Sequence, residues 1–347
     1  MKVYAGMDPR LGVRDVIAHA QRVEALGYDG IHVAETVHDS LALSLVIAEH
    51  TTRLRIRTSV ALAFVRSPTL TAYAAWDVAV LSAGRFDLGL GTQIRQNIRD
   101  RYAMPFSDDP LGALRDYVGA VRAVFDTFAT GTPPDYDSPH YRVTRLQPYF
   151  NPGPDSSTRI PPVYLGGVAR AACALAGEIA DGFVTHPTNS NPLYLETTCL
   201  PGLAEGAARA PRSLTAGPAP FELVVGTQVI SGSSPDAVAR ERERQRRLLA
   251  FLYSTPAYRP TLSLYGWDDL GPRLRDLIRH DRWEDLAGLL SDEVLDTLVP
   301  TAPFEDLPDL LTSRFGGLAQ GLVASPPADR HDDERWREVV AALRAWG

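Results

Sequence analysis

Short apolar runs alternate with amphipathic stretches along nearly the whole chain, the arrangement of a parallel sheet with crossover helices. About eight such units can be traced. Residues 2–7 predict the first strand. Behind them Val13, Val16, Ile17, Ala20, Val23 and Leu26 recur at helical spacing up to Gly27, a natural stop. The second strand is expected at 30–34 with a helix over 41–50, and the third at 54–61 with a helix opened by Pro68. Residues 85–91 and 111–130 form the fourth pair, 162–165 and 170–180 the fifth. Strands at 182–186, 222–230 and 321–325 follow, and a helix over 333–346 closes the chain.

Two segments interrupt the alternation. Residues 131–158, rich in Pro, Gly and Asp, predict a loop excursion. The longest interruption lies between strands seven and eight: a helix over 235–253, an aromatic stretch with Tyr258, Tyr265 and Trp267, then helical sequence to residue 298. Its part from 254 to 300 is expected to be an insertion on one face, acting as a lid or substrate region. With no fixed-period repeat, the eight units suit one (β/α)8 TIM barrel over residues 1–347. An open doubly wound sheet would give the same alternation, so periodicity alone leaves both in play.

Composition narrows the functional classes. With 45% hydrophobic residues in 347, the chain has ample material for a core. The start MKVYAGMDPR lacks a basic-then-apolar export signal, and no apolar run approaches the ~20 residues of a membrane span, so a cytoplasmic protein is expected. The formal net charge is −7, and no cluster of basic residues is backed by aromatics, which argues against a nucleic-acid partner. The one basic run, 240–247, alternates with Glu241 and Glu243 as a solvated helix face does. Cys173 and Cys199 are too few for a disulfide framework or a paired-cysteine zinc site. Lys2 is the only lysine, which excludes an interior Schiff-base lysine and a lysine-dependent phosphate loop.

In a barrel the chemistry sits on loops after the strands' C-terminal ends. Those positions are Asp8, Glu35 to Asp39, Ser59 to Ala63, Gly91 to Asn97, Gly166 to Arg170, His186 and Gly232. ETVHD (35–39) joins two acids to an imidazole, and His38 can carry a proton near pH 7. Glu35 and His38 could share a metal, but carboxylate-bridged sites need a second such pair, and no metal is expected. GLGT (89–92) and LGGVAR (165–170) end strands in glycines, as a phosphate cradle or a tight strand-to-helix turn does. For His186 a structural hydrogen bond is the expected role. No GxSxG elbow supports serine catalysis.

SAGRFDLGLGT (82–92), preceded by RTSVALAFVRSP (57–68), resembles the luciferase-like monooxygenase superfamily. ALGYDGIHVAE (25–35), AAWDVAVLSAGR (74–85) and LAGEIADGF (175–183) extend the likeness over nearly all of the first 190 residues. STPAYRP (254–260), GWDDL (266–270) and SDEVLD (291–296) resemble its F420-dependent oxidoreductase subgroup.

The resemblance implies a TIM barrel holding coenzyme F420, or alternatively FMN, at its mouth, a small-molecule substrate, and a homodimer. It implies a bulge in the third strand with a non-prolyl cis peptide at Ser59-Val60 behind the cofactor ring. It places Glu35 beside that ring, Thr92 and Asn97 in contact with the cofactor, and Gly166, Gly167, Val168 and Arg170 near its phosphate. Thr36 stands where many relatives carry a catalytic histidine, which leaves His38 as the nearest proton carrier, with Glu35. Ile94 stands where sugar-phosphate dehydrogenases of the family carry a catalytic glutamate, which argues against glucose-6-phosphate as substrate. The implied activity is hydride exchange with an activated C=C, C=N or alcohol carbon. An FMN-dependent monooxygenase and a non-catalytic cofactor-binding paralogue stay open.

Overall fold

The computed structural model describes residues 1–210 and 220–346. Among them, eight parallel strands close on themselves: β1 (Lys2–Gly6), β2 (Gly30–Val33), β3 (Arg55–Thr58), β4 (Phe86–Gly91), β5 (Val163–Gly167), β6 (Gly182–Thr185), β7 (Glu222–Val225) and β8 (Gly321–Val323). Each strand pairs with its sequence neighbours, and β1 pairs with β8, so the sheet is a TIM barrel rather than an open sheet. Outside it lie α1 (Val16–Ala25), α2 (Ser40–His50), α3 (Pro68–Leu81), α4 (Pro110–Thr130), α5 (Arg170–Ile179), α6 (Leu200–Ala207), α7 (Pro235–Tyr253), α8 (Leu270–Arg279), α9 (Leu307–Phe315) and α10 (Asp333–Ala345). No described helix is long and apolar enough to cross a membrane.

The 131–158 excursion contains a two-stranded antiparallel hairpin, 136–137 against 142–143. The segment after β7 builds its own apolar cluster around Leu249, Leu262, Leu274 and Leu295, and Ile230 joins it. Strand seven therefore ends at Val225, earlier than its apolar run suggests, because Ile230 is buried in that second cluster and bridges only Thr301.

Residues alternate between the barrel's inside and outside. The inward set at the base is unusually polar. Arg57, 1% exposed, donates from Nη2 to Asp87 Oδ2 at 2.8 Å and to Glu222 Oε2 at 3.1 Å. Its guanidinium lies 3.6 Å from the centroid of Tyr164 and 4.7 Å from that of Tyr4. Both tyrosine hydroxyls donate to Glu222 at 2.6 Å. Gly30, Gly182 and Gly321 face the two rings, and a side chain at any of the three would collide with them. A charged plug thus fills the lower barrel.

Burial alone would raise the Glu222 carboxyl, but Arg57, then Lys2 and the two hydroxyls, hold it down at about 2. A folded value below the ordinary 4.5 means that ionised Glu222 stabilises the fold above about pH 4.5. That contribution is about 3 kcal/mol and is lost as pH falls toward 2, with roughly 2 kcal/mol gone by pH 3. Urea unfolding at pH 5 and pH 3 should show this loss in the wild type and a loss smaller by that amount in Glu222→Gln.

Candidate active site at the barrel mouth

The ladder between β3 and β4 breaks where the mouth begins. Arg57 pairs with Asp87, and pairing resumes at Ala61 with Leu90, four residues on one strand against three on the other. The extra residue makes a bulge. Thr58 bridges it, its hydroxyl donating to Gly89 O at 2.8 Å and accepting from Gly89 N at 2.9 Å. The Ser59-Val60 peptide is cis. Val60 then lies across the strand ends: a Cβ on Gly91 would fall 2.5 Å from its Cγ2, and one on Gly166 would fall 2.8 Å from its Cγ1. Gly91 and Gly166 are glycines because Val60 takes that space, and together they make an apolar floor. Gly167 instead faces Ala172 and Phe183 and lets α5 approach.

Glu35 rises from the end of β2 onto one wall. Its Oε2 accepts from Leu62 N at 2.8 Å, Arg66 Nη1 at 2.9 Å and Ser40 Oγ at 3.3 Å, and its Oε1 from Arg66 Nη2 at 2.6 Å. Arg66 also donates to Asp39, which caps α2. Four donors hold this carboxyl in one position on the rim. His38, on the same loop, makes no hydrogen bond or ion pair among the described residues. Arg66 went unread in the sequence; the available signal was a lone base in the turn between the third strand and α3, beside the strand that ends in an acid.

Beyond β4, Gln93 takes a left-handed conformation at φ 59°. Its Oε1 accepts from Ile94 N at 3.0 Å and from Asn97 Nδ2 at 3.1 Å, which fixes Asn97, with half-buried Thr92 alongside. Helix α5 opens on Ala169, which has no side chain to cap it, whereas Asp39, Ser67, Asp109 and Ser234 cap α2, α3, α4 and α7. Its first N–H groups are free to meet an anion. Arg170, exposed beside them, pairs with Glu205 at 3.4 Å. Val168 is held by the hydroxyl of buried Tyr194, which donates to its carbonyl at 2.5 Å.

Val184 faces the barrel interior with Tyr4, Tyr164 and Val224, so His186, two residues on, faces the mouth. Its Nδ1 lies 2.7 Å from Thr188 Oγ1 and accepts from Thr188 N at 3.3 Å. Its ring stacks on Tyr258, centroids 4.3 Å apart and planes 12° apart. Burial lowers it to about 4, so it is neutral near pH 7.

The profile of the luciferase-like monooxygenase family matches residues 3–309. An uncharacterized protein of Mycobacterium tuberculosis is 36% identical over 304 residues, covering 88% of this chain and 87% of that protein. A putative coenzyme F420-dependent oxidoreductase of the same species is 27% identical over 311 residues, covering 85% of each. The coenzyme F420-dependent tetrahydromethanopterin reductase of Methanopyrus kandleri superposes with a TM-score of 0.81 at 16% identity, over 100% of this chain and 99% of that one, a likeness of fold. With its barrel, its third-strand bulge and this match over most of its length, the chain belongs to the luciferase-like monooxygenase family.

Proposed function

We propose that this protein is an F420-dependent oxidoreductase that exchanges hydride with a small organic substrate at the barrel mouth. The observation that carries this reading is a flat apolar floor, Val60 over Gly91 and Gly166, next to the uncapped start of α5. A planar ring with a phosphate-bearing tail needs those two features side by side. The relative named as F420-dependent points to the deazaflavin over FMN. Bound there, such a cofactor would supply the hydride chemistry.

The chain's own residues then have definable tasks. Val60 backs the ring, and Thr92 with the Gln93-held Asn97 lines its edge. The N–H groups at the start of α5, with Gly166, Gly167, Val168 and Arg170 around them, hold the phosphate. Glu35, held in place by Arg66, lines the rim, and His38 on the same loop is the proton carrier nearest to it. Purified protein titrated with F420 and with FMN should show deazaflavin fluorescence change at micromolar concentration and weaker flavin binding. Tight FMN binding with no F420 binding would overturn the assignment.

A second copy of the chain is the partner this surface favours. Helices α2 and α3 are apolar on nearly every face, which a solvated barrel helix is not. Leu70 on α3 is 63% exposed, with Leu81 exposed further along. Light scattering should give a dimer for the wild type and a monomer for Leu70→Arg; a monomeric wild type would contradict this.

A further inference from the structure

The turn after β6 is held from the insertion at several points. Tyr253 Oη donates to Thr188 O at 2.9 Å, Asn189 Nδ2 to Thr261 Oγ1 at 2.8 Å, and Tyr265 Oη to Asn191 Oδ1 at 3.1 Å. At the centre of this clamp stands His186, stacked on Tyr258 and turned toward the mouth by the alternation of β6. The Thr188 N–H directed at Nδ1 at 3.3 Å favours a lone pair there and the ring proton on Nε2, an arrangement in which the Thr188 hydroxyl, 2.7 Å away, donates to Nδ1 rather than to Asn189 Oδ1 at 2.8 Å. Among the described residues Nε2 has no hydrogen-bond partner, and it is not sealed off from solvent. A surface histidine would be mobile and titrating; this one is immobilised, neutral and left with one free donor.

We propose that His186 contacts the substrate, presenting Nε2–H to an oxygen or nitrogen on, or conjugated to, the carbon that exchanges hydride, while Tyr258 of the insertion sets the plane of the ring. The inference rests on the hydride-transfer reading above and names the substrate feature it requires: a hydrogen-bond acceptor such as a carbonyl. For a carbonyl, hydride from the reduced deazaflavin forms the C–H bond as the C=O π pair moves to oxygen, and the deazaflavin is oxidised. His186 stabilises the charge on that oxygen by hydrogen bonding and keeps its proton, since losing it would leave an imidazolate. Water supplies the proton that completes the alcohol. A donor fixed before charge develops needs no reorganisation, which is the source of its effect on rate.

The test uses the full-length protein labelled with 15N-histidine, loaded with F420, and probed with acetone and cyclohex-2-enone. The His186 signals should report the Nε2–H tautomer from pH 6 to 8, and at least one probe should shift Nε2 more than Nδ1. For whichever probe is reduced, His186→Ala should lower kcat about 100-fold with F420 affinity unchanged. His186→Gln, which keeps an N–H donor, should recover part of that loss, and Tyr258→Leu should fall between. An Nδ1–H tautomer, or Nε2 unmoved by both probes while F420 binds normally, would overturn the inference. Equal kcat in wild type and His186→Ala would overturn it too. Failure of the wild type to bind F420 would be a different result, removing the cofactor reading beneath it.

Discussion

Replacing Arg57 with methionine should destabilise the protein by about 3–5 kcal/mol, the range for removing one partner from a buried ion pair. Among the described residues Arg57 alone bridges both buried acids inside the barrel, and without it Asp87 and Glu222 are left with Arg55 and Lys2, whose side chains are part-exposed at the base. The variant also forfeits the guanidinium stacking on Tyr164 and Tyr4. Its pH dependence should flatten. In the wild type, acid removes a stabilising charge; in Arg57→Met the Glu222 carboxyl loses the largest influence that holds it down against burial, so protonation costs less and the stability lost between pH 5 and pH 3 shrinks. Urea midpoints at pH 7, pH 5 and pH 3 check both statements. A loss under about 1 kcal/mol, or parallel pH curves, would show that the plug is not held as described.

The second large effect is expected at Ala169. An aspartate there should cap α5 and add roughly 1 kcal/mol to stability. The same carboxylate would occupy the N–H groups assigned to the cofactor phosphate and repel it, so F420 affinity should fall about 30- to 100-fold, equivalent to ~2–3 kcal/mol. Ala169→Ser, a cap without charge, should lose less. A more stable protein with weaker F420 binding is an outcome that general damage to the fold cannot produce. Unchanged affinity in Ala169→Asp would move the phosphate elsewhere.

The strands and most helices were legible because buried parallel strands are continuous apolar runs and their helices are amphipathic. Helix α6 was not anticipated. Its proline, Pro201, sits in the first turn, and Gly202 and Gly206 let α6 close on α5, Gly202 against Arg170 O and Gly206 against Ala174 O. The base of the barrel was equally hidden, since nothing in the spacing of Arg57, Asp87 and Glu222 reveals that three strands bring them together. At the mouth, the loops were legible from the strand ends, and the bulge only from resemblance. That Gly166 packs against Val60 was not legible, because the contact depends on the bulge that carries Val60 across the strand ends. The hydrogen bonds expected of His186 are present at Thr188, but its stack on Tyr258 was not legible, because that partner lies 72 residues away in the insertion.

The central claim, that the cofactor lies in the mouth between Val60 and the start of α5, is tested most directly by a crystal structure of the full-length protein grown with F420. The account predicts the deazaflavin ring over Val60 and the phosphate against the N–H groups at the start of α5, with its far face open toward His186. Density for F420 anywhere else on the barrel, or a phosphate with no contact to the first turn of α5, would contradict it.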